Sequence, residues 1–134
     1  MEHHELHRSY KRLIFEGRSA LNIFHYDTIN AQEVVMEGAL KIKVRWLITK
    51  EMGANNFAMR IFETEPGGYT PLHTHPWEHE VFILEGEGQL FDGDEANPFK
   101  AGDVVFVSPN EKHQFKNSSS KLLRFICLIP NIDK

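Results

Sequence analysis

Residues 40–48 place Ile42, Val44 and Trp46 on one side of the chain and Lys41, Lys43 and Arg45 on the other. A period of two is the mark of a half-buried strand. Similar short runs follow, each closed by turn-forming residues. Residues 56–63 end at Glu65-Pro66-Gly67-Gly68, which predicts a turn. Residues 81–85 stop at Gly86, residues 89–91 at Asp92-Gly93-Asp94, and residues 104–107 at Ser108-Pro109-Asn110. Residues 113–116 and 121–129 complete the series before Pro130. Strands spaced by roughly ten residues, with no helical periodicity between them, predict an all-β sandwich or barrel. Residues 81–84 and 122–129 are apolar on both faces. Such strands lie between two layers or on a barrel wall whose outside is covered, as a homodimer would cover it.

Residues 1–20 break the pattern. Residues 5–20 are charged, with Leu6, Tyr10, Leu13 and Ile14 at mixed helical spacing. They are expected to form an N-terminal arm or short helix ahead of one domain over residues 21–134.

With 134 residues there is room for one domain. No apolar run approaches the about 20 residues of a membrane-spanning helix. The start, Met1-Glu2-His3-His4-Glu5, lacks the basic-then-apolar order of a secretory signal. A single cysteine, Cys127, excludes an intramolecular disulfide and suits a reducing compartment. A cytoplasmic protein is therefore expected. Fifteen Lys and Arg against nineteen Asp and Glu leave a net charge of −4. Without a basic excess to displace phosphate counterions, nucleic acid is not an expected partner. A small molecule is.

Eight histidines remain to be placed. His3, His4, His7 and His25 read as solvated surface. His73, His75 and His79 share one parity within seven residues, so on a strand they project to one side. Their ring nitrogens can converge on a metal at about 2.0–2.2 Å, provided the chain bends near Pro76 to admit His79. A further ligand must come from a facing strand, where His113 is the available histidine.

These residues resemble the two motifs of the cupin superfamily. The first runs G-x5-H-x-H-x3,4-E-x6-G and is met by Gly67, His73, His75, His79 and Gly86, with His79 where the family more often has Glu. The second runs G-x5-P-x-G-x2-H-x3-N and is met by Gly102, His113 and Asn117. Ser108 takes the proline position, and Asn110 replaces the glycine. Asparagine tolerates the left-handed backbone better than most residues, so the turn can survive. The stretch His73-Thr74-His75-Pro76-Trp77-Glu78-His79-Glu80 and the ending Cys127-Leu128-Ile129-Pro130 are similar to small bacterial single-domain cupins.

The resemblance implies a double-stranded β-helix, or jelly-roll barrel, with an N-terminal extension. It also implies one divalent transition metal per chain, held by His73, His75, His79 and His113. All-nitrogen ligation suits Mn, Fe, Co, Ni, Cu or Zn and disfavours Ca and Mg. Four neutral imidazoles leave the full +2 charge on the ion and, in a cupin, two adjacent open positions. The expected activity is that of a metal-dependent oxidoreductase of the dioxygenase type. The alternatives are a metal-dependent isomerase or lyase, and a non-catalytic ligand-binding cupin.

Parity extends the site. Val81, Ile83 and Phe115 are expected to line the pocket. On the last strand, either Phe125 and Cys127 or Arg124 and Ile126 face inward, the uncharged pair being the cheaper to bury. Arg60 is either a surface ion pair or an anion clamp. Glu78 is either solvated or a hydrogen-bond partner of a ligand imidazole. Trp77 either packs or closes the site mouth.

Overall fold

The computed structural model describes residues 21–131, so the expected arm over residues 1–20 lies outside the described residues. Nine strands follow in chain order: β1 (Gln32–Glu33), β2 (Leu40–Ile48), β3 (Phe57–Tyr69), β4 (His79–Glu85), β5 (Glu87–Phe91), β6 (Ala96–Lys100), β7 (Val104–Val107), β8 (Gln114–Lys116) and β9 (Leu123–Pro130). The helical segments are two single-turn 3-10 pieces, Tyr26–Thr28 and Lys50–Met52. No helix among the described residues is long and apolar enough to cross a membrane.

All pairings are antiparallel, and the sheet curls in the order β6-β5-β8-β3-β9-β4-β7, with β2 on the other edge of β3 and β1 beyond it. The long strand β3 is the hinge of this arrangement. Its first part pairs with β9 from Phe57↔Pro130 to Thr64↔Leu123. Its far end, Tyr69, pairs with Lys116 of β8. One strand thereby serves both halves of the barrel, which is the cupin-type all-β architecture.

The predicted turn at residues 65–68 is corrected to a bulge inside β3. Between Leu40↔Tyr69 and Ile42↔Thr64 the register slips, and the extra residues kink the strand. The ladder continues across the kink because Gly67 N–H donates to Asn117 O and Asn117 N–H donates to Gly68 O, each at 2.9 Å. A side chain at Gly68 would meet the carbonyl oxygens of Leu40 and Lys41 at 2.7 Å, so glycine alone fits this crossing.

Alternation builds the core. On β4, His79, Val81 and Ile83 point inward, while Glu80, Phe82 and Leu84 point out. They meet Phe99, Val107, Phe115, Leu123, Phe125 and Cys127 in one buried cluster. Each large apolar side chain there contributes about 1.5–3 kcal/mol. The outer face of β4 and β7 is also apolar and stays open in a single chain, with Phe82 45%, Val104 73% and Phe106 58% exposed.

Strand β6 is absent from the runs read in the sequence, where residues 96–100 have no apolar alternation. Pro98 is tolerated because β6 is the edge of the sheet order.

Candidate metal centre

His73 and His113 are brought side by side by an isolated bridge, with His73 N–H donating to His113 O at 3.2 Å and His113 N–H donating to His73 O at 3.1 Å. The chain leaving His75 is anchored by Asn110 N–H, which donates to His75 O at 2.8 Å. Asn110 has φ 69, the left-handed backbone for which asparagine substitutes for glycine. The bend after Pro76 then returns the chain so that β4 begins at His79.

Four imidazoles converge as a result. Ring centroids lie 5.1 Å apart for His73–His75, 4.9 Å for His73–His113, 4.8 Å for His75–His113, 4.4 Å for His75–His79 and 5.0 Å for His79–His113. His73, His75 and His113 each offer a ring nitrogen within 4.8 Å of the others, a group able to hold a metal ion. His79 adjoins this triad, its Nε2 2.6 Å from Nε2 of His75.

Hydrogen bonds set the tautomers. Nδ1 of His75 donates to Trp77 O at 2.9 Å, and Nδ1 of His113 donates to Glu111 O at 2.8 Å. A carbonyl oxygen only accepts, so both protons sit on Nδ1 and both Nε2 atoms carry free lone pairs. His79 meets the sulfur of Cys127 through Nδ1 at 2.8 Å. The Trp77 ring stacks on His75 at 4.5 Å and 4°, which fixes the plane of that imidazole.

Burial disfavours the charged form of His73, His79 and His113. Desolvation holds His73 below the ordinary imidazole value, assisted by His113, His75 and Arg60. Desolvation also lowers His113, against the pull of the Glu111 carbonyl. His79 is lowered to about 3, first by burial and then by the Arg60 charge and its histidine neighbours. Neutral imidazoles with free Nε2 atoms are what a borderline transition metal needs, so the residues present fit such an ion and do not fit Ca or Mg.

The rings open onto a cavity of about 290 Å³. Arg60, Phe115, Phe125 and Cys127 are on its wall, together with His73, His79 and His113. Of the two parities open for β9, Phe125 and Cys127 face inward, while Arg124 pairs with Glu63 and Glu85. Val81 and Ile83 are not on the cavity wall. They sit in the buried cluster, because the cavity end of β4 is filled by His79. Glu78 is also corrected. It is exposed in a separate groove with Asn56, Phe57 and Glu80, and backbone carbonyls take the imidazole protons it was considered for.

Sequence reasoning missed Trp46, Phe62 and Thr70 on the wall. The parity of Trp46 with Ile42 and Val44, and of Phe62 with Arg60, carried that signal, but the pairing of β2 with β3 was needed to use it. Burial pushes the Cys127 thiol up, with Arg60 pulling partly the other way, so the group is a thiol rather than an activated thiolate.

A model of the Cupin domain family matches residues 60–129, more than half of the chain. Among curated proteins, the 1-methylthio-D-xylulose 5-phosphate methylsulfurylase of Rhodospirillum rubrum is 32% identical over 71 residues. That match takes in 53% of this chain and 46% of the relative, so the chain spans about half the length of that enzyme. Among solved structures, the polyketide cyclase RemF of Streptomyces resistomycificus superimposes with a TM-score of 0.78 and 32% identity, over 83% of this chain and 80% of that one. A predicted oxalate decarboxylase of Thermotoga maritima gives 0.73 and 29% identity, over 82% and 99%.

Proposed function

Because the chain belongs to the cupin family, we propose that His73, His75, His79 and His113 together hold one divalent transition-metal ion, and that the protein uses it on a small organic molecule bound in the adjoining cavity. The observation that carries this reading is the triad of His73, His75 and His113, whose ring nitrogens lie within 4.8 Å of one another, with Nε2 of His79 2.6 Å from Nε2 of His75. His75 cannot donate there, since its proton is committed to Trp77 O. Without metal that contact is an N–H···N bond from Nε2 of His79, and a bound cation would take the place of the proton.

An ion so held supplies Lewis acidity, polarising an oxygen of the ligand. The chain's own residues do the rest. Phe62, Phe115 and Phe125 exclude water, and Nδ1 contacts to Trp77, Glu111 and Cys127 hold the rings in place. No carboxylate is among the residues named on the wall, so proton transfers fall to the imidazoles or to the ligand.

The favoured class is a non-redox rearrangement, of lyase, isomerase or cyclase type. Similarity to a polyketide cyclase at 32% identity over most of both chains supports it. The dioxygenase-type reading is second. It is favoured by the uncharged donor set, which raises the reduction potential of a redox-active ion. The open apolar face at Phe82, Val104 and Phe106 supports a homodimer within either reading, and sedimentation tests that.

Elemental analysis of protein from its native host tests the metal. About one transition ion per chain is expected, falling sharply in His73→Ala. Equal, trace content in both proteins would sink the reading. Oxygen consumption with diketone, enol or phenol substrates under Fe, Mn, Ni and Cu loading separates the classes. Turnover without oxygen uptake supports the favoured one, and stoichiometric uptake overturns it. No turnover under any loading, with a small ligand still raising the melting temperature, supports a non-catalytic binding cupin.

A further inference from the structure

Arg60 stands on β3 opposite Trp46 of β2 and Cys127 of β9, both on the cavity wall. Its guanidinium lies 5.2 Å over the Trp46 ring and 4.8 Å over the Phe62 ring. The rings fix its plane and shield it from water. Nη2 donates to Cys127 Sγ at 3.1 Å, a weak acceptor. Nε is buried and has no hydrogen-bond partner among the described residues. A buried, unsatisfied N–H on a permanent cation is unfavourable and calls for a partner.

No such partner is supplied by the wall, which has no Asp or Glu among its named residues. The facing imidazoles bear no negative charge in either protonation state, and a divalent ion among them would add to the positive charge rather than offset it. The part of the guanidinium that reaches the cavity wall offers N–H donors to a carboxylate, while Nε itself is closed off. The remaining wall is mainly apolar, with Phe62, Phe115 and Phe125 beside aliphatic residues such as Val34, Ile42 and Val44, and the cavity is near the small end of ligand pockets.

We propose that Arg60 is the anion-binding residue of this cavity, and that its ligand is a small carboxylate with a flat apolar body. The body packs on the phenylalanines, and the carboxylate takes the Arg60 donors. The proposal rests on the metal reading only in that a second ligand oxygen would face the ion. The Arg60 contact itself does not require metal.

Benzoate and benzamide share a shape and differ in charge, so their titration into Zn-loaded and metal-free protein by calorimetry tests this. Wild type is expected to prefer benzoate on the order of 10-fold or more, in both forms. Arg60→Gln should abolish the preference with metal content unchanged, and Arg60→Lys should restore part of it. A wild type without preference overturns the proposal, as does a preference that survives in Arg60→Gln. The wild-type comparison needs no variant to fold. Loss of the metal reading would show as missing Zn, while a benzoate preference in metal-free protein would still support Arg60.

Discussion

The sulfur of Cys127 lies 2.8 Å from Nδ1 of His79, on the edge of the ring opposite Nε2. A cation at Nε2 would leave the ring proton on Nδ1, facing the sulfur, so β9 would set the orientation of a ring that belongs to β4. Cys127→Val keeps the volume and removes the acceptor. It is expected to lower metal affinity on the order of 10-fold, while Cys127→Ser retains most of it. Metal-competition titration checks this, and equal affinity in all three proteins would contradict the role.

His79 also distinguishes a three-histidine site from a four-histidine one. Alanine at His73, His75 or His113 should cost on the order of 10-fold or more in metal affinity. His79→Ala should cost about as much. Undiminished occupancy in that variant alone would reduce the ligand set to the triad.

The metal-free protein should lose stability in mild acid. His73, His79 and His113 take up protons less readily when folded, chiefly through burial. Below the ordinary value of 6.5 the unfolded chain therefore binds more protons than the folded one. The histidine contribution is complete above 6.5 and is lost progressively towards about 3. Thermal melts from pH 7 to 4 should show a falling midpoint, with a shallower slope in His79→Gln. Parallel slopes would mean that His79 is not the burdened group.

Two glycines with positive φ should respond differently to alanine. At Gly86, φ 89, a Cβ would run into Leu122 O, whereas at Gly102, φ 94, it would meet nothing within 4 Å. Gly102→Ala should cost about 1–2 kcal/mol for the backbone alone. Gly86→Ala should cost more, because a backbone carbonyl cannot swing aside. Urea denaturation measures both, and equal losses would remove the steric argument.

Asn117 is 1% exposed and joins three segments. Its Nδ2 donates to Thr64 O and Lys121 O at 2.8 Å, and its Oδ1 accepts from Ser119 N–H and Oγ–H. Asn117→Ala should destabilise by about 2 kcal/mol or more, since buried carbonyls lose their donors. Metal content per folded molecule should hold, which calorimetry with elemental analysis can verify.

The strands with clear alternation were legible in the sequence, β2 and β7 to the residue. So was the gathering of histidines, because a motif spacing is a local property, although His73 and His75 precede β4 and do not share one strand with His79. The wall of the cavity was legible in part, with Arg60, Phe115, Phe125 and Cys127 expected and Trp46 and Phe62 not. Trp46, Arg60 and Cys127 stand side by side only because β3 lies between β2 and β9, and such pairings leave no local pattern. The Pro66-Gly67-Gly68 stretch misled for a related reason. Its residues favour a turn, and only the backbone of Asn117, supplied from far along the chain, holds it as a kinked strand.

Those distant supports bear on how the molecule comes into being. Arg60 meets Cys127 across 67 positions of sequence, and His79 meets it across 48. Loops of that length must close before either contact forms, which places folding among the slower, millisecond-to-second class. During synthesis, residues 73–79 emerge well before β9 does. Until then the histidines are tethered to an incomplete wall. The orientation of the His79 ring is then settled late, when the final strand pairs with β4 and brings Cys127 to it.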